Sequence, residues 1–215
     1  LQGPLPDGCE LQFDELETYE SRRNTRPLTV PILIEAKSRV IIAAESATIR
    51  PRGRMSKKRL RAIKQDEDRF GARKDRSVRS IRRVLKRGFP LVARQGKVHF
   101  ETDEKLNYPS LIAESYPGLV IKHGQTNSKL LRTKKNPLFA INQTEAMARD
   151  LTGRIRRESW LVSKKRRYLD IGLQIYITYR NFVRRRFNED EDSAAQFAGW
   201  VQRRMKPGDV LSWRQ

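Results

Sequence analysis

The sequence predicts an α/β fold: a mixed five-stranded sheet flanked by helices, with a C-terminal helical extension packed on it. Three observations predict this. Short runs with a two-residue apolar period, rich in Val and Ile further along, open the chain. Helix-like and strand-like patterns then alternate between Asp75 and Ile121, and from Asn142 onward the pattern is helical. At 215 residues the chain can bury one core. The expected division is a core over residues 1–165 with a basic insertion at 50–74, and a helical extension over residues 166–215.

The lead-in holds Gly3, Pro4, Pro6 and Gly8 and reads as turns. In the first strand, Leu11 and Phe13 alternate with Gln12, so Asp14 faces away from Phe13, where the strand is expected to open into a loop. A polar connection with Arg22, Arg23, Asn24 and Arg26 ends at Pro27. Leu28 to Glu35 and Val40 to Glu45 follow as two strands, completing an antiparallel meander. Arg50 to Lys74 carries Arg50, Arg52, Arg54, Lys57, Lys58 and Arg59 but few apolar residues, and reads as a flexible arm that contacts phosphate or solvent.

Val78, Ile81, Val84 and Leu85 mark an amphipathic helix from Asp75 to Arg87, stopped by Gly88 and Pro90. Val98 and Phe100 then alternate with polar neighbours in a strand that ends on Asp103 and Glu104. Pro109 to Tyr116 is a short helix opened by proline, and Leu119 to Ile121 a short buried strand. In the next helix Met147, Leu151 and Ile155 share the expected core face. Glu145, Arg149, Thr152 and Arg156 share the other, so Glu145 is expected to look outward. Tyr168 to Arg185 is apolar round most of its circumference, which predicts burial on two sides. The basic run Arg184, Arg185 and Arg186 leads to the acidic Glu189 to Asp192, then to a last amphipathic piece from Ala194 to Met205.

Charge narrows the partners. With 46 Lys and Arg against 25 Asp and Glu, the net charge is +21, which calls for a polyanion, most simply nucleic acid. No run approaches the roughly 20 apolar residues of a membrane span, and no signal-peptide pattern opens the chain. A single cysteine, Cys9, excludes an intrachain disulfide and a cysteine-based zinc cluster, and His99 and His123 are too few to replace one. The start at Leu1, without a methionine, raises the expectation of sequence upstream.

Three acids carry the chemical reading: Asp14 at the end of the first strand, Asp103 at the end of the fourth, and Glu145 on the helix after the fifth. A mixed sheet can set the first and fourth strands side by side. Two carboxylates there repel each other and stay ionised at low cost only with cations between them, which points to a pair of hard divalent metals. Such a pair serves in-line displacement at phosphorus. Glu15 and Glu104 adjoin these acids but point away, as supporting or solvated groups. His123 follows the fifth strand and is either a plain loop histidine or an aid in placing phosphate. Trp160, Trp200 and Trp213 read as core anchors rather than base-stacking platforms.

From about Leu11 to Trp213 the sequence resembles the DDE-type insertion-sequence transposases, whose catalytic core is ribonuclease-H-like. The resemblance rests on Phe13-Asp14-Glu15, Thr102-Asp103, the block Asn136 to Glu145 ending in Asn142-Gln143-Thr144-Glu145, the stretch Arg157 to Lys165 with Val162-Ser163, and Tyr179-Arg180-Asn181-Phe182. It implies a ribonuclease-H-like fold in which Asp14, Asp103 and Glu145 bind two Mg2+ or Mn2+ ions. It also implies cleavage at transposon ends and strand transfer into target DNA, by a homo-oligomer assembled on DNA in the bacterial cytoplasm and associated with the nucleoid. Asp150 is the fallback third acid; it lies about 140° round the helix from Glu145, so both cannot face one metal pair. The DNA-contacting set comprises Arg50, Arg52, Arg54, Lys57, Lys58, Arg59, Arg149, Arg156, Arg184, Arg185 and Arg186. Relatives of this kind carry an upstream end-recognition segment, and nothing before Leu11 reads as one. Composition alone also fits a non-catalytic basic nucleic-acid-binding protein, or a truncated or decayed transposase that folds without activity.

Overall fold

In the computed structural model, which describes residues 2–156 and 160–213, the chain forms an α/β structure around a mixed, open, six-stranded sheet. The strands are β1 (Glu10–Tyr19), β2 (Pro27–Glu35), β3 (Ile41–Ala44), the short β4 (Ala47–Thr48), β5 (Lys97–Asp103) and β6 (Val120–Thr126). Their order is β3-β2-β1-β5-β6, with β4 pairing β2 beside that path. The meander β1-β2-β3 is antiparallel, while β1, β5 and β6 run parallel. The sequence reading missed only the two-residue β4, which has no periodicity to detect.

The alternation of β1 separates two cores. Leu11 and Phe13 join Val98, Phe100, Ile81, Val84, Leu85 and Tyr108 beneath α2 (Ser77–Val92) and α3 (Tyr108–Ser115). Leu16 lies on the other face, where Leu28, Val30, Ile32 and Ile34 of β2 and Ile41 and Ala44 of β3 meet Ile141 and Ala148 of α4 (Phe139–Leu151) and Leu169, Leu173, Tyr176 and Ile177 of α5 (Arg166–Thr178). Helices therefore cover both faces of the sheet, the usual way to bury parallel strands. A 3₁₀ turn, Gly153–Ile155, follows α4, and the short α6 (Ala194–Phe197) and α7 (Pro207–Leu211) end the chain's regular structure.

Several expectations are corrected. β1 does not open at Asp14 but runs on to Tyr19, held by its pairing with β2. The expected basic arm contains α1 (Lys57–Phe70), 14 residues long, capped by the Ser56 hydroxyl, which accepts from the Arg59 N–H at 3.2 Å. Its anchors are ionic: Arg26 pairs with Asp66 at 3.2 Å and with Glu20 at 2.7 Å, and stacks 4.8 Å from the Phe70 ring. An apolar stripe is not what holds α1, so apolar periodicity could not find it.

Helix α2 continues through Gly88 and Pro90 because Leu91 and Val92 are drawn into the core, and a proline in the last turn forfeits only one hydrogen bond. β6 is an edge strand longer than expected, with Val120 largely exposed. Helix α5 buries one face only; Tyr168, Ile171, Ile175 and Tyr179 are exposed. A π-helical turn, Tyr179–Val183, follows it. There the buried Asn181 accepts from the Ile41 N–H and donates to the Ile41 carbonyl, both at 2.9 Å, satisfying one position on the outer strand β3. Of the stretch that carried the resemblance, Arg157, Glu158 and Ser159 lie outside the described residues.

Gly88 is required by packing. A Cβ there would lie 2.6 Å from Leu33 Cδ2 and closer still to the buried Tyr116 hydroxyl. Gly88→Ala should therefore lower stability by about 1–3 kcal/mol, although alanine is the better helix former. Chemical denaturation of both proteins checks this; equal or greater stability of the variant would show that α2 can shift outward freely.

Candidate active site

The position of the site follows from strand register. In the parallel pair β1·β5 the last rung joins Phe13 to Thr102, so the next residues, Asp14 and Asp103, stand side by side. Phe13 faces the α2/α3 core, so Asp14 faces the α4/α5 side, as does Asp103 by the alternation from Phe100. The Asp14 carboxylate accepts from the Glu15 N–H at 2.7 Å, and that of Asp103 from the Lys105 N–H at 3.2 Å.

Gln12 sets the third acid. Its side chain, 2% exposed, donates to the Pro137 carbonyl at 2.7 Å and accepts from the Ile141 N–H at 2.9 Å, which docks the start of α4 on β1. From that clamp Asp14 is two residues along the strand, about 7 Å, and Glu145 is four residues along the helix, about 6 Å, so the two acids advance together. The clamp also fixes the helix phase. Ile141, Thr144, Glu145 and Ala148 are buried and Leu151 is exposed, so Glu145 turns inward instead of outward. Asp14, Asp103 and Glu145 thus line one cleft of about 240 Å³, together with Arg132, Asn142 and Arg149.

Burial pushes the Asp14 carboxyl up to about 6. The Glu15 N–H opposes this, the charges of Asp103 and Glu15 add to it, and Arg132 relieves it in part. Glu15 points to the opposite face, as expected, but is buried rather than solvated. Its carboxylate takes the Lys105 ammonium, the Tyr108 hydroxyl at 2.9 Å and the Thr29 hydroxyl at 2.8 Å. Burial, then the fields of Glu15, Asp14 and Asp103, hold the Tyr108 phenol far above its ordinary range, so it remains a donor.

The donor set is all carboxylate oxygen, which suits hard divalent cations, and the strained charge at Asp14 is what such a cation relieves. Among the described residues no three His, Cys, Asp or Glu side chains are drawn together tightly enough to hold an ion.

The other predicted residues separate into groups. Arg149 reaches the cleft, whereas Asp150 is exposed and lies 4.0 Å from Arg156. Arg156 also donates to the Asp150 carbonyl at 2.8 Å and to the Arg149 carbonyl at 3.2 Å, which closes the end of α4. Arg50, Arg52 and Arg59 line a second cavity of about 580 Å³ with Arg23; Glu17 belongs to both cavities, so the two adjoin. Arg54, Lys57 and Lys58 are exposed beside it. Arg185 and Arg186 are paired with Glu191 and Asp190, and Arg184 is half-buried.

Glu104 is exposed, and His123 hydrogen bonds to the Thr102 hydroxyl at 2.8 Å on β6, outside the cleft lining. Trp200 packs on the core and Trp213 stands edge-to-face with Phe182 at 5.3 Å, but Trp160 is 98% exposed and anchors nothing. Gln12, Lys105, Tyr108, Arg23 and Arg132 were not foreseen. A buried glutamine and a loop arginine leave no periodic signal.

No protein-family model matches the chain, and no curated protein matches it. Among the described residues no helix is long and apolar enough to cross a membrane.

Asp14 gives a direct test of the electrostatics. A carboxyl whose folded value is raised from 3.8 to about 6 destabilises the fold once ionised. The penalty is absent below the unfolded value, grows between the two, and is complete above about 6. Without divalent metal, Asp14→Asn should stabilise the protein at pH 7.5, on the order of 1–3 kcal/mol, and by less as pH falls toward 4. Saturating Mg2+ or Mn2+ should shrink the difference, because only the parent gains binding energy. Thermal melts that coincide at all pH values and ignore both metals would contradict this electrostatic account.

Proposed function

We propose that this chain is a metal-dependent DNA phosphodiester-transfer enzyme, a transposase of the DDE type with a ribonuclease-H-like core, acting on DNA as a homo-oligomer in the bacterial cytoplasm. The observation that carries the reading is the convergence of Asp14, Asp103 and Glu145, far apart in sequence, in one cleft. The sheet agrees with it too: a meander continuing through helical crossovers into parallel β5 and β6 is the α/β pattern the sequence predicts. A protein that only binds nucleic acid has no use for three acids in a cleft rimmed by arginines.

Asp14, Asp103 and Glu145 would hold a pair of Mg2+ or Mn2+ ions, which when bound supply activation of the attacking hydroxyl and stabilisation of the leaving oxygen. The chain's own groups prepare this. Backbone N–H groups of Glu15 and Lys105 orient the two aspartates. Lys105 and Tyr108 engage the Glu15 charge, so that less of it bears on Asp14. Arg132 and Arg149 bring positive charge to the rim, where the non-bridging oxygens of a phosphodiester would lie. Arg23, Arg50, Arg52 and Arg59 continue that charge into the adjoining cavity and would carry the flanking backbone. Water as nucleophile leaves a 3′-hydroxyl at the element end, and that hydroxyl is the nucleophile of the second displacement, into target DNA.

One observation favours a second reading, a basic nucleic-acid-binding protein without catalysis: among the described residues no three acids are drawn tightly enough together to enclose an ion. Substitution separates the two readings. Asp103→Asn and Glu145→Gln should leave DNA affinity unchanged or slightly higher, since each removes a negative charge near phosphate. Both should lower magnesium-dependent nicking and joining by orders of magnitude. Asp150→Asn should do neither. The measurement is cleavage of labelled duplexes carrying the inverted repeats that flank the coding sequence, beside a binding titration. Activity in the parent that survives both active-site substitutions would eliminate the triad, and a parent that binds DNA but never cuts it would establish the binder.

A further inference from the structure

At the other end of β1 from the acidic cleft lies a cavity of about 650 Å³ whose lining includes Lys37, Arg39, Lys134, Asn136, Phe139 and Phe197. Arg39 is its unusual member. It closes the turn between β2 and β3 with φ 66°, a left-handed conformation that favours glycine or asparagine, so arginine stands there against backbone preference. The nearby Glu35 does not pair with it. That carboxylate is taken by the turn itself, accepting from the Lys37 N–H at 3.0 Å, the Ser38 N–H at 2.6 Å and the Ser38 hydroxyl. Arg39 Nη1 is buried with no hydrogen-bond partner.

Aromatic rings hold the guanidinium in place. Arg39 lies 5.5 Å from the Phe139 ring and 5.5 Å from the Phe187 ring. On the far side Arg186 lies 5.0 Å from Phe187 and 3.6 Å from Phe197. Arg186 has a carboxylate of its own in Asp190, at 2.6 Å. Arg180, 3% exposed, donates only to the carbonyls of Arg185 at 3.3 Å and Arg186 at 2.8 Å. Asp7, Glu10 and Glu35 also line the cavity, but among the described residues none of them forms an ion pair with Arg39. Burial and the fields of Arg180 and Arg186 lower its pKa from the ordinary value, and the Glu35 charge opposes this in part. A preorganised guanidinium, ring-stacked and with a buried unused donor, is a site for an oxyanion.

We propose that the Arg39 cavity is a phosphate subsite, in which Arg39, assisted by Lys37 and Lys134, takes a backbone phosphate of the nucleic acid whose scissile phosphate occupies the acidic cleft. Asn136 lines both cavities, so they adjoin. Glu10 borders this cavity and Asp14 the acidic one; four residues of strand make about 13 Å, a separation that a short run of one DNA strand can span. With the arginine cavity beyond Glu17, this gives the DNA a track with positive charge on both sides of the acids. The subsite rests on the reading of the protein as a DNA-processing enzyme.

The test uses the full chain and a fluorescein-labelled duplex of about 24 base pairs, titrated by anisotropy over a range of salt concentrations. Arg39→Asn suits the left-handed backbone and removes the guanidinium; the double variant Lys37→Ala/Lys134→Ala changes only exposed side chains. Arg39→Asn should weaken binding roughly tenfold and lower the salt slope by about 0.9, and the double variant should lower it by about 1.8. Nicking by both should recover at high protein concentration, unlike nicking by Asp103→Asn. Parental slope and affinity in both variants would overturn the subsite while leaving the enzyme reading untouched; if Arg39→Asn does not fold, the double variant decides alone. A parent that binds the duplex without nicking it would remove the enzyme reading instead, whatever the variants' slopes. Loss of self-association in Arg39→Asn, seen by sedimentation with DNA affinity unchanged, would assign the cavity to a protein carboxylate and also overturn the proposal.

Discussion

The parallel pairing of β1 with β5 places two carboxylates on neighbouring strands, facing one way, where water is partly excluded. Coulomb repulsion between such groups is strong in that setting, and a fold chosen for stability alone would separate them or neutralise one. This protein supports them from all sides instead. Gln12 docks α4 so that a third acid arrives at the same level, backbone N–H groups fix the two aspartates, and Lys105 and Tyr108 hold Glu15 on the opposite face of the sheet. The stored electrostatic cost is one that a bound cation would relieve, as the proposed function requires.

The excess of basic residues acquires an arrangement from this centre. Arginines occupy both ends of the acidic cleft, in the cavity beyond Glu17 and in the one reached past Asn136. On the proposed function, a polyanion laid across the sheet end would meet basic groups on either side of the three acids, with Glu17 on one side and Asp7, Glu10 and Glu35 on the other also bordering its path. Much of the remaining charge is internal: Arg26 with Glu20 and Asp66, and Arg186 with Asp190, hold α1 and the C-terminal turns to the sheet.

The meander, the helix α2 and the alternation of β5 were legible because each has an apolar period that matches its burial. Asp14 and Asp103 were legible for the same reason, since each follows an alternating run whose inward face is fixed by large apolar residues. What escaped was set by contacts distant in sequence. The phase of α4 depends on Gln12, more than a hundred residues earlier, so its wheel alone turned Glu145 outward. Helix α1 depends on ion pairs, and α5 looked buried on two sides because its sequence does not reveal that one apolar face is left exposed. Arg39 gave no signal at all, as its place in the left-handed region is a property of the turn.

The most direct measurement of the account is the anomalous-difference map of a crystal grown with Mn2+ and a duplex bound. It should hold one or two strong peaks in the cleft between the carboxylates of Asp14 and Asp103, with Glu145 completing the coordination of at least one. Peaks at Asp150 or elsewhere on the surface, with none between Asp14 and Asp103 while DNA lies on the protein, would contradict it.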